Sequence, residues 1–214
     1  MSSDVNPRRS YESPRRQEQA RQTRRTVLDA ARDLFLERGY AKTTMAEVAR
    51  RAGVSVETVY KAFANKAGLV KAVFDVAVVG DDEPVPMLQR ELVRRTAAEP
   101  DPRRKLTGYG EHLVGVGTRT SAILLLVRDA AATDAGAGEV WAQLQAERLA
   151  GMGAFAQHLA DGGHLRADVS VEEARDVIWT YNSVELWDLL VGQRGWSPER
   201  FGTWVGRQLV AALL

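Results

Sequence analysis

The sequence predicts an all-α chain of about nine helices, on three observations. Every strong apolar periodicity in its 214 residues is helical. No alternating apolar and polar run lies between hairpin turns. Glycine and proline punctuate the periodic stretches, at Gly39, Gly53, Gly80, Pro84, Pro86, Pro100, Pro102, Gly162, Gly163 and Gly195.

Residues 1–16, MSSDVNPRRSYESPRR, hold almost no aliphatic side chain and are expected to form a disordered basic arm. From about Gln17 a helix is expected, because Val27, Leu28, Ala31, Leu34 and Phe35 fall on one stripe, and Gly39 suits its end. Thr44 stands where an N-cap belongs, ahead of Met45, Val48, Ala49 and Ala52 at helical spacing, and Gly53 stops that short helix. Ser55 caps a second short helix carrying Val59 and Phe63 on one face, with Glu57, Thr58 and Lys61 outside. Asn65 caps a further helix to about Val79. Beyond it, helices are expected over residues 87–98, 103–118, 121–132, 138–160, 171–191 and 198–213.

Charge is unevenly placed. Up to Phe74 there are fifteen Lys or Arg against eight Asp or Glu, and beyond it fourteen against twenty. A basic front on an acidic body points to a polyanion-binding module joined to a different kind of domain. The absence of cysteine rules out disulfides, thiolate metal cages and a cysteine nucleophile, and accords with a reducing cytoplasm. Apolar runs such as residues 122–127 are far too short to span a bilayer, and no apolar block follows Met1, so neither membrane association nor secretion is expected.

Two short helices joined by a tight glycine turn have the spacing of a helix-turn-helix, whose second helix, here Val56–Phe63, enters the major groove. An ordinary helical hairpin has the same spacing. Arg24, Arg25, Lys42, Arg50, Arg51, Lys61 and Lys66 around the pair shift the balance toward DNA, whose phosphates require such cations.

Residues 43–69, TTMAEVARRAGVSVETVYKAFANKAGL, resemble the signature of the TetR-type one-component transcriptional regulators. The resemblance implies an amino-terminal helix-turn-helix DNA-binding domain (residues 17–65) and a helical carboxy-terminal domain (66–214) that binds an effector and dimerises. It further implies that Thr44 contacts a phosphate, that Ser55, Val56, Thr58 and Lys61 face DNA, and that Tyr60 holds the DNA backbone. Lys66 would sit beside the amino end of the next helix, where free N–H groups favour a phosphate. Glu57 departs from the small or basic residue often found there. A carboxylate in that place is either repelled by DNA or accepts a hydrogen bond from cytosine N4. For Tyr60 the competing reading is packing against the first helix. Arg8, Arg9, Arg15 and Arg16 of the arm either follow a minor groove or form a solvated tail.

For the effector, aromatic stripes with nearby polar groups nominate Tyr109, His112, Arg128, Trp141, Phe155, His158, Tyr181 and Asn182. Gly108, Gly110, Gly115 and Gly117 in one helix mark either a soft wall beside a pocket or tight packing against Ile123 to Val127. The last two predicted helices are apolar on more than one face. Trp187, Leu190, Phe201, Trp204, Val205 and Leu209 are therefore expected at a two-fold dimer interface, with Gly202 and Gly206 allowing close approach. No HExxH, phosphate-binding glycine loop or Gly-x-Ser-x-Gly elbow is present, so no cofactor, metal or catalytic residue is expected. The reading is a homodimeric, effector-released repressor of a near-palindromic operator. An architectural DNA-binding protein, and behind it a small-molecule enzyme, are the alternatives.

Overall fold

The computed structural model describes residues 14–80 and 91–214. Its elements are α1 (Pro14–Lys42), α2 (Met45–Ala52), α3 (Val56–Phe63), α4 (Lys66–Val79), α5 (Glu91–Ala98), α6 (Pro102–Ala131), α7 (Ala135–Asp161), α8 (Val171–Tyr181), α9 (Val184–Trp187), a π-helical turn (Asp188–Gln193) and α10 (Pro198–Leu213). Among the described residues there is no strand, and no helix is long and apolar enough to cross a membrane.

The local signals at the front act where they were expected. Thr44, Ser55 and Asn65 each accept a backbone N–H as N-caps, and Gly53 ends α2 in the left-handed conformation. Residues 14–16, expected in the arm, instead form the first turn of α1. Pro14 there lacks only an N–H that a helix start leaves unused, and the following Arg and Gln are good helix formers. The rest of the arm, with Arg8 and Arg9, lies outside the described residues, as does most of the break after Gly80 and the start of the helix expected from residue 87.

Two boundaries differ from expectation, each for a tertiary reason. Residues 103–118 and 121–132 form one 30-residue helix, α6. The Thr118 and Thr120 hydroxyls donate back to Val114 O and Val116 O, while Arg119 reaches across to α4. A polar stretch that reads as a break is thus satisfied within the helix. Conversely, the helix expected over 171–191 stops at Tyr181. Arg148 of α7 donates to the carbonyls of Trp179 and Asn182 freed there, and Ser183 caps the next turn.

Two cores result, and α6 enters both. One joins α1–α4 to Ile123 and Val127 of α6 and to Val140 and Leu144 of α7. The other joins Leu106, Tyr109 and Leu113 of α6 to the end of α7, α8 and α10. At the second, backbones nearly touch. A Cβ on Gly110 would lie 2.4 Å from Gly202 O and 2.7 Å from Gly206 N, and one on Gly117 would lie 2.3 Å from the Trp187 ring. These glycines therefore serve packing against α10 and Trp187, not against Ile123 to Val127, and Gly202 and Gly206 meet α6 within the chain. The residues expected at the dimer interface are also engaged within the chain. Trp187, Phe201, Val205 and Leu209 are buried in the chain's own second core, and only Leu190 and Trp204 keep part of their surface open.

Gly110→Ala should destabilise the fold by about 1–3 kcal/mol, because its Cβ meets backbone that cannot swing aside. Gly108→Ala, whose Cβ meets nothing within 4 Å, should stabilise by up to about 1 kcal/mol through helix propensity. Urea unfolding of the two variants checks the opposite signs.

Candidate nucleic-acid interface

The α2–α3 unit is held by polar contacts on its inner side. Thr43 is buried, its hydroxyl shared between Leu34 O (3.1 Å) and Gly39 O (2.9 Å), so the chain leaves α1 at a set angle after the positive-φ residue Gly39. Thr44 and Glu47 form a reciprocal capping box, and the same carboxylate accepts Arg38 at 2.6 Å. The Thr44 hydroxyl, then its backbone N–H and Arg38, hold Glu47 below the usual carboxylate range. Arg51 makes a two-pronged pair with Glu37 at 2.8 and 2.9 Å. Underneath, Val48, Val59, Phe63 and Leu69 close the first core.

On the outer side, Ser55, Glu57, Thr58, Tyr60 and Lys61 are all exposed, while Val56 is half-buried. Ser55 Oγ accepts the Thr58 N–H, and the two hydroxyls lie 3.1 Å apart, a pair of small donors and acceptors at the amino end of α3. Glu57 is turned onto the same helix end. Its own N–H and then the Ser55 hydroxyl keep it below the usual carboxylate range. Tyr60 is 49% exposed. Thr44 is exposed at the start of α2.

The cations divide into two sets. Lys66 is half-buried, donates to Tyr40 O (3.1 Å) and lies 4.1 Å from the Tyr40 ring centroid, which ties α4 to the end of α1. Arg24 stands over the Phe63 ring and Arg51 is paired with Glu37. Arg25, Lys42, Arg50 and Lys61 are exposed, with no ion pair among the described residues. Thr43, Arg38 and Glu37 are the residues that sequence reasoning missed. Thr-x-x-Glu at 44–47 was a visible capping-box signal, but a buried threonine and cross-helix ion pairs leave no local trace.

The residues nominated for an effector do not form one site. Tyr109, Phe155 and Asn182 converge on Met152: the Tyr109 hydroxyl donates to its Sδ at 3.0 Å, Asn182 Nδ2 lies 3.4 Å from it, and the Tyr109 and Phe155 rings are 5.1 Å apart. Burial raises the Tyr109 phenol far above its ordinary value. Arg148 lies over the Trp179 ring beside this cluster, and the Trp179 indole N–H is buried without an acceptor among the described residues. Tyr181 faces Trp204, Arg128 lies near Glu185, and Trp141 packs on the first core. His158 meets Lys105 at the far end of α6. His112 sits half-buried on α6, its pKa lowered to about 4 by burial and then by Arg119.

Residues 27–73 match the family model of bacterial regulatory proteins, tetR family. The HTH-type transcriptional regulator TtgR of Pseudomonas putida is 44% identical over 61 residues, a stretch covering 28% of this chain and 29% of TtgR. The matched part thus spans less than a third of that relative. Over nearly the whole chain the fold is that of solved regulators. NalD of Pseudomonas aeruginosa, described as the secondary repressor of the MexAB-OprM multidrug efflux pump, aligns with a TM-score of 0.69 at 22% identity, covering 90% of this chain and 97% of NalD. The SmeT–triclosan complex aligns with a TM-score of 0.68 at 25% identity, covering 90% of this chain and 92% of SmeT.

The half-buried His112 sets an acid limit on stability. Its folded pKa of about 4 lies below the ordinary 6.5, so the unfolded chain takes up a proton that the folded chain refuses. Stability from this group is full above pH 6.5 and declines toward pH 4, by up to about 1.4 kcal/mol per pH unit. His112→Leu should flatten that decline when urea midpoints are compared at pH 7 and pH 5.

Proposed function

Because residues 27–73 belong to the tetR family of bacterial regulatory proteins, we propose that this chain is a homodimeric, effector-responsive DNA-binding regulator that represses transcription from a near-palindromic operator. One observation carries the reading: Ser55, Glu57, Thr58, Tyr60 and Lys61 form an exposed face on a helix-turn-helix braced from behind by buried and ion-paired groups. Ser55 and Thr58 offer hydroxyls to base edges, Tyr60 and Lys61 reach the DNA backbone, and Thr44 meets a phosphate at the start of α2. Glu57 is kept ionised and suits cytosine N4. Lys66 acts from behind, fixing α4 to α1, and Arg25, Lys42 and Arg50 supply the additional positive field.

Residues 17–65 form the reading head and 66–214 the sensing and dimerising part. In this reading the effector site is Tyr109, Met152, Phe155 and Asn182, an aromatic and sulfur-lined cluster suited to an apolar or planar compound, and the SmeT–triclosan complex supports a small-molecule effector. Repression is the reading that NalD's role supports. Arg119 links the two parts: from mid-α6 it donates to Ala77 O (2.8 Å) and Val78 O (2.9 Å) at the end of α4. An effector that moves α6 therefore moves α4 and the spacing of the two recognition helices, provided it prefers the DNA-incompetent arrangement. The second copy docks on the outer side of α8 and α10, where Leu190 and Trp204 remain partly open. Such a protein works in the cytoplasm.

Selection from a random duplex library with the purified protein, followed by gel-shift titration at two salt concentrations, tests the reading. An inverted repeat bound by a dimer is expected, and uniform salt-sensitive binding to arbitrary duplexes would instead mark an architectural protein. Tyr60→Phe and Lys66→Ala should weaken binding to all sequences, with Lys66→Ala also lowering thermal stability through its lost contacts on Tyr40. Thr58→Ala and Glu57→Ala should change the selected sequence. Identical selection profiles for all four variants would overturn this division of roles.

A further inference from the structure

At the end of α6 remote from the reading head lies a cleft of about 360 Å³, bordered by the close of α5, the start of α6 and the turn after α7. It lies some 22 residues along α6 from the Val127 of the first core, about 33 Å at helical rise. Its floor is Lys105, only 4% exposed. The ammonium donates to two neutral acceptors, Ala97 O at 3.3 Å and His158 Nε2 at 2.6 Å. No carboxylate lies within ion-pair distance of it among the described residues. Glu99 is near enough to favour its charge, yet it accepts the Asp101 N–H at 3.0 Å instead. Burial lowers the pKa of Lys105. A buried ammonium without an ion pair among the described residues is costly unless an anion completes it.

The rest of the cleft is shaped for a partner. Since His158 Nε2 accepts from Lys105, its proton resides on Nδ1. His164 folds over Gly162, where a Cβ would lie 2.6 Å from its Nε2, so the ring occupies this wall only because the residue beneath has no side chain. Ala98 and Pro100 add apolar wall, while Glu99 and Asp161 put negative charge on the lining. That negative charge penalises a second charge on a ligand.

We propose that this cleft binds a small organic acid as its singly charged carboxylate, with Lys105 pairing the carboxylate and His158 and His164 closing around it. The apolar remainder of the acid lies along Ala98 and Pro100, and Glu99 with Asp161 selects against phosphates. The site adjoins the cluster around Met152, Lys105 and His158 lying one helical turn from Tyr109 and Phe155, and does not depend on the DNA-binding reading.

The chain has only His112, His158 and His164, so the full-length protein labelled with ¹⁵N-histidine gives three sets of ring signals to follow by NMR. Titration with benzoate should shift the His158 and His164 signals saturably, with half-effect below about 10 mM, and leave that of His112 in place. Neutral benzamide should do nothing, and inorganic phosphate should bind at least several-fold more weakly. Lys105→Met should weaken benzoate at least tenfold, and Glu99→Gln should narrow the gap between phosphate and benzoate. Equal responses to benzoate and benzamide, phosphate binding as tight as benzoate, or no saturable shift would each overturn the proposal. Should Lys105→Met fail to fold, an unchanged phosphate-to-benzoate ratio in Glu99→Gln overturns it as well. No DNA enters the measurement, so its failure leaves the regulator reading untouched.

Discussion

The unbroken run of α6 is the constraint on which the remainder of the molecule depends. Thirty residues of helix make a rod of about 45 Å, long enough to be a wall of both hydrophobic cores. Near its start Gly110 lets α10 approach to backbone contact, and near its end Ile123 and Val127 complete the core of the helix-turn-helix. Between them Arg119 caps the carboxy end of α4, supplying donors to carbonyls that a helix terminus leaves unsatisfied. A packed rod cannot shift at one end without repacking at the other. This is the physical route that the proposed effector response would take.

The reading head divides its polar residues by function. Exposed ion pairs such as Arg38–Glu47 and Arg51–Glu37 add little stability each, yet together with the buried Thr43 hydroxyl they set the angle between α1, α2 and α3. Lys66 does the same for α4 through Tyr40. With those groups engaged inside, the face of α3 is left with hydroxyls, one carboxylate, a phenol and an amine. Such a set is able both to read bases and to grip phosphates. The body follows the reverse logic. Gly110 closes against Gly202 and Gly206, Gly117 against Trp187, and Trp187 against Phe201, while polar residues gather where helices end: Arg148 at the break after α8, Lys105 at the start of α6.

The front of the chain was legible almost residue by residue because its boundaries are made by neighbours in sequence. Thr44, Ser55 and Asn65 cap the helices that follow them through bonds spanning three residues, and Gly53 ends α2 by its own backbone freedom. In the body the same signals misled. The polar stretch at residues 118–120 reads as a break but is satisfied within α6. Asn182 and Ser183 form a real break, but it is sustained by Arg148 from another helix. At Phe201, Val205 and Leu209 apolar periodicity reports that a face needs cover and not which element covers it, and within the chain the second core supplies that cover. The effector candidates scattered for a related reason: an aromatic stripe shows that a helix has a buried side, not where several helices converge.

The sequence by itself determined the helical class, the placement of α2, α3 and α4, the asymmetry of charge and the residues displayed by α3. All of these rest on local hydrogen bonds, backbone freedom and periodicity. Only the tertiary structure decided that α6 is one rod shared by two cores and that Gly110, Gly202 and Gly206 belong to a contact within the chain. It alone turned Lys66 inward and left Lys105 buried, with no ion pair among the described residues, beside two histidines. Those outcomes depend on which surfaces meet across long separations in sequence, and no spacing of residues records that.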